Sequence, residues 1–210
     1  IAVYATSMNF SILEISIVTF LFAISGAISQ WPIGKISDLL DRRLVIIYTT
    51  FGAAFFCFLA ILSSGQMYLP EGLGTSKIFF YICIMCFSFC SLPMFALIFA
   101  HTNDFIQKDK FVAAGAGLQF IFGVGAMCGP FLCSLFMEFL GENGFFIYLI
   151  IFHSLIGFFG IYRMQIRESG DNPDSQFSPM PQTITPVGME LNPSTEPIEE
   201  ANNLNELKKT

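Results

Sequence analysis

Five stretches of this chain are long and apolar enough to cross a lipid bilayer as helices. They run from about Ile12 to Trp31, Leu44 to Ser63, Ile78 to Ala100, Phe111 to Met137 and Gly144 to Tyr162. A bilayer core about 30 Å thick needs roughly 20 mostly apolar residues per crossing. The second and third stretches contain no charged residue. Helix is the only state open to them, because an open strand in lipid leaves its backbone groups unsatisfied. The fold expected is an all-α membrane protein. Ile1 to Tyr4 read as the last residues of another apolar segment. With no initial Met, no basic leader and no cleavage site, the chain is read as beginning upstream.

Composition agrees. Hydrophobic residues make up 54% and charged residues 12%, against about 25% charged in an ordinary soluble domain. The net charge of −6 argues against a nucleic-acid partner. That charge is uneven. Residues 1–168 hold nine acids and eight bases, a net of −1, and residues 169–210 hold seven acids and two bases, a net of −5. The first loop carries Lys35, Arg42 and Arg43, the third carries Lys108 and Lys110, and Arg163 and Arg167 follow the last stretch. Five crossings put these seven bases on one side and leave Lys77 on the other. The positive-inside rule then makes the first loop and the tail cytoplasmic. The tail, 169–210, is acidic and rich in Pro, Ser and Asn, so disorder is expected, with local docking open to Ile184–Leu191 and a short helix to Ala201–Lys209.

Two motifs stand out. In the first loop, Gln30-Trp31-Pro32-Ile33-Gly34-Lys35-Ile36-Ser37-Asp38 is followed by Leu39, Leu40, Asp41, Arg42 and Arg43. Gly34 allows close backbone approach. Asp38 lies one turn on, where it can face a helix N-terminus. Arg42 and Arg43 can pair with Asp38 or Asp41, or hold the loop at the headgroups. In the fourth stretch, Gly125-x-x-x-Gly129-Pro130 combines small residues for helix packing with a proline that bends the helix. Six cysteines lie within the apolar stretches, and Cys83, Cys86 and Cys90 share a helical face. They read as packing residues, with no metal or cofactor site expected. Asn9-Phe10-Ser11 fits a glycosylation acceptor on the outer side.

The loop resembles the signature of the major facilitator superfamily, with Gly34, Asp38, Arg42 and Arg43 in register. Leu39 stands where a base is usual and Asp41 where Gly is usual. The Gln-Trp-Pro-Ile-Gly-Lys string, the stretch Ala100-His101-Thr102-Asn103-Asp104 and the Gly-Pro step are similar to the YcaD-like branch. The resemblance implies the C-terminal half of a twelve-helix bundle: helices eight to twelve plus the end of seven. It implies a multi-pass secondary transporter of the plasma membrane, moving a small solute by alternating access and coupled to protons. A missing N-terminal half and the lipid bilayer would be its partners. Gly34, Asp38, Arg42 and Arg43 would form a gating loop, and Gly125, Gly129 and Pro130 a bend with a tight helix contact. The first, third and fourth stretches would line the cavity, and the second and fifth would be peripheral. Polar groups at membrane depth are costly and often functional. Gln119, His101, Asn103 and Asp104 are therefore candidate cavity or proton-relay residues. Glu14 is expected at the outer interface and His153 in a structural role. The alternatives are a receptor or scaffold signalling through its tail, and an intramembrane enzyme using His101, Asp104 and His153.

Overall fold

A computed structural model describes residues 1–7, 9–63, 77–106, 110–166, 177 and 179. The second loop from Ser64 to Ser76, Lys108, Arg167 and the expected tail segments Ile184–Leu191 and Ala201–Lys209 lie outside the described residues. Seven helices are present among them: α1 Ala2–Ser7, α2 Ile12–Leu39, α3 Arg42–Ser63, α4 Lys77–Ser91, α5 Met94–Asn103, α6 Phe111–Leu140 and α7 Gly144–Ile166. With α4 and α5 taken together, five spans are long and apolar enough to cross a membrane.

The first span begins on a signal the apolar pattern does not carry. Ser11 and Glu14 form a capping box: the Ser11 N–H donates to Glu14 Oε2 at 2.8 Å, and the Glu14 N–H donates to Ser11 Oγ at 3.3 Å. Two otherwise orphaned donors are thereby satisfied. Helix α2 then runs past Pro32 to Leu39. The segment from Gln30 to Leu39 is therefore helical, which corrects its reading as loop. At 1.5 Å per residue α2 is about 42 Å long, so its final turns extend beyond a 30 Å hydrocarbon core. The connection to α3 shrinks to Leu40 and Asp41.

The third stretch is also corrected. It is two helices, broken at Leu92 and Pro93. Pro93 has no N–H to give the carbonyl one turn back, and its ring clashes there. Helix α6 ends at Gly141, whose φ of 71° suits a residue without Cβ. Gly144 then opens α7 hard against α6, where a Cβ would overlap the backbone of Phe136.

Helix α3 and the α4–α5 span are the most enclosed; α3 packs on α4 and α7, while α2 lies along α4. The inner stripe of α2 runs at four-residue spacing through Ser25, Ser29, Ile33 and Ser37, three of them serines and all buried. Ser25 Oγ donates to the Met85 carbonyl at 2.7 Å, and Ser88 Oγ donates to the Phe22 carbonyl. These bonds tie α2 to α4 inside the bilayer, where no hydrophobic force draws helices together. The end where α1 meets α2 is closed by rings. Tyr4 sits 4.7 Å from Phe146 and 5.9 Å from Phe80, centroid to centroid. Helix α6 differs from the rest: only Phe111 and Gly115 of its described residues are buried.

Candidate functional site

The end of the bundle opposite those rings gathers the charges. It is formed by the last turn of α2, the first residue of α3 and the last turn of α5. Arg42 opens α3, yet its side chain is only 7% exposed. Among the described residues its guanidinium donates through Nε to Ser37 Oγ at 3.1 Å, through Nη2 to Asp38 Oδ1 at 3.0 Å and through Nη1 to Asp104 Oδ1 at 2.7 Å. The planar fork of arginine suits such divided binding, where an ammonium would act as one point charge. One residue thus joins α2, α3 and α5. Asp104 is nearly enclosed, at 11% exposed, whereas Asp38 is 33% exposed.

His101 borders the cluster, with Nδ1 at 3.8 Å from Asp104 Oδ2 and its ring edge-on to Phe105 at 5.1 Å. Asn103 is buried beside them. A cavity of about 330 Å³ adjoins this region, lined by Arg43, Ile46, Ile98, His101, Phe159 and Arg163 among others.

Asp41, which departs from the family signature, has a local task. Its Oδ1 accepts the backbone N–H of Arg43 at 3.0 Å, which caps the first turn of α3. The Arg43 guanidinium also donates to Oδ2 at 2.6 Å. These hydrogen bonds from Arg43 hold the Asp41 carboxyl below its ordinary value. Among the described residues, then, Arg42 binds Asp38 and Asp104, and Arg43 binds Asp41. Leu39, at the other departing position, ends α2 with its side chain 75% exposed.

Other candidates are placed elsewhere. Gln119 lies on α6, and no bond links it to the charge cluster among the described contacts. Gly125, Gly129 and Pro130 are on α6 too. Helix α6 is continuous through Pro130. No described atom lies within 4 Å of a Cβ built on Gly125, and one on Gly129 would meet only the Tyr148 hydroxyl, at 3.5 Å. The tight helix contact expected at this motif is not formed among the described residues, because α6 touches chiefly α7.

A polar pair that the sequence reading missed sits at the α4–α5 break. His153 Nδ1 lies 2.9 Å from the Leu149 carbonyl, which can only accept, so Nδ1 carries the proton. In the neutral ring Nε2 then accepts from Ser91 Oγ, 3.1 Å away. His153 is buried, with Phe87 edge-on to it. The available signal was Ser91, two residues before Pro93 in an uncharged, mostly apolar run.

Three comparisons bear on this arrangement. The family model described as Major Facilitator Superfamily matches residues 1–195. An uncharacterized MFS-type transporter of Yersinia enterocolitica is 26% identical over 154 residues, which covers 73% of this chain and 35% of that protein. One from Enterobacter is 24% identical, covering 71% and 34%. The uncharacterized MFS-type transporter YcaD of Escherichia fergusonii is 22% identical, covering 59% and 28%. The chain thus spans about a third of the length of these relatives. No solved structure shows a significant match. A model match over nearly the whole chain, five apolar spans and no strand among the described residues agree, and this chain belongs to the Major Facilitator Superfamily.

Proposed function

We propose that these helices are eight to twelve, with the end of seven, of a twelve-helix secondary transporter in the plasma membrane. It moves a small solute by alternating access and couples that movement to protons. Residues 1–168 form the membrane portion, and 169–210 form a cytoplasmic tail. The family, and the length of its relatives, support a second half of the same protein. The faces that half would cover are wide and apolar. Phe20 and Ile28 on α2, and Ile121, Met127 and Phe131 on α6, are all exposed. In transporters built of repeated halves the solute site lies near the midplane between them. Gln119 and the Gly125–Gly129 stripe belong to the helix left most open for it.

The observation that carries the reading is the threefold grip of Arg42 on Ser37, Asp38 and Asp104. It makes the cytoplasmic ends of α2, α3 and α5 one unit, able to swing as a body. Asp38 is its exposed corner, placed to meet a helix N-terminus of the other half when the cytoplasmic side closes. His101 beside Asp104 supplies a pair that can pass a proton.

The test is a solute screen on the full-length protein in proteoliposomes, with and without a pH gradient. Accumulation of one solute class that collapses with the gradient supports the reading. Gradient-independent equilibration would remove the proton coupling, and no movement of any solute would remove the transporter.

A further inference from the structure

Phe177 is the single aromatic residue of the stretch 168–210. It stands among Asp171, Asn172, Asp174, Ser175 and Gln176, in a segment with nothing else of its size to bury. The structure seats it against the charge cluster. Its backbone N–H donates to Asp38 Oδ1 at 2.8 Å, the same oxygen that accepts from Arg42 Nη2. Its ring occupies the notch left by Gly34, where any Cβ would overlap ring carbons Cδ1 and Cε1. The ring also packs on the cluster of Ile33, Val45, Ile46 and Leu97, and on that of Ala96 and Phe99. One side chain therefore touches α2, α3 and α5 where Arg42 joins them.

We propose that Phe177 is an intramolecular ligand of the bundle, its ring anchored in the Gly34 notch and its N–H on Asp38. Three independent features converge: a missing Cβ that makes room, an apolar floor from three helices and an acceptor at the rim. An aromatic ring in such a pocket is a typical anchor, and its polar neighbours need not bind. The notch lies on the corner that the transporter reading assigns to cytoplasmic closure. Where that reading holds, the seated ring and an incoming helix exclude one another, so docking of the tail slows the cycle.

Hydrogen exchange on the full-length protein tests the docking without any transport assay. Peptides spanning Phe177 are compared in the wild type, in Phe177→Ser and in Gly34→Leu. The wild-type amide is expected to exchange on the order of tenfold slower than in either variant. Phe177→Ser keeps this test interpretable should Gly34→Leu disturb α2, since it alters only the tail. Wild-type exchange as fast as in Phe177→Ser would overturn the docking. In proteoliposomes, Phe177→Ser is expected to raise the initial uptake rate about threefold. Normal wild-type uptake left unchanged by the variant would overturn the braking role. Absence of uptake in both proteins would instead count against the transporter reading, leaving the docking to the exchange data.

Discussion

Arg42 is nearly enclosed, and each of its three guanidinium nitrogens donates, to a hydroxyl and to two carboxylates. A buried charge of this kind is costly to unpair. Removing one partner of a buried pair typically destabilises by about 3–5 kcal/mol. Arg42→Met is therefore expected to lower the thermal midpoint in detergent markedly, because it removes the 2.7 Å ion pair to the nearly enclosed Asp104. Arg42→Lys keeps the charge but loses the fork, and is expected to fall between. Asp41 offers a gentler test. Losing an N-cap costs about 1 kcal/mol, so Asp41→Ala should destabilise modestly. Because its carboxyl is held below the ordinary value, its stabilisation is complete above the unfolded pKa of about 3.9 and is lost as pH falls through the lower folded value. The difference in midpoint between wild type and Asp41→Ala should accordingly shrink below about pH 4. A constant difference across that range would deny the carboxylate its role.

Among the elements, the spans were legible because apolar length alone identifies a membrane helix, and their polar ends were not. Hydropathy stops at Trp31, but α2 continues to Leu39. Helix need not end where lipid ends, and Asp41 places the next cap two residues further on. The α4–α5 break was missed for the opposite reason, since Pro93 sits in an uncharged run where Ser88 and Ser91 barely lower the hydropathy. Gly34, Asp38, Arg42, His101 and Asp104 were all visible as candidates. That Arg42 binds Asp104 across 62 residues was not, because no local spacing encodes a contact between α3 and α5. Glycines divide sharply by surroundings. Gly144→Ala should destabilise by well over 1 kcal/mol, as its Cβ would meet the Phe136 backbone, whereas Gly125→Ala meets no described atom and should leave thermal stability within about 0.5 kcal/mol. Melting curves of the two variants side by side decide this.

At the scale of the whole molecule, the bundle is closed on one side and open on the other. Helix α3 is sheathed by α4 and α7, while α6 packs chiefly on α7 and, of its described residues, buries only Phe111 and Gly115. A soluble protein would not leave so large an apolar surface bare. Lipid and a second bundle half can share it here. In the proposed transporter, the charged end and the open apolar face would belong to a body that rocks against a second half, with Asp38 at the corner where the two would meet. The most direct measurement is solute uptake by the full-length protein in proteoliposomes under a pH gradient, comparing wild type with Asp38→Asn at matched protein amounts. The variant is expected to express normally and to take up solute at a rate lower by on the order of tenfold, about 1.4 kcal/mol in the barrier. Unchanged uptake kinetics in Asp38→Asn would contradict this expectation.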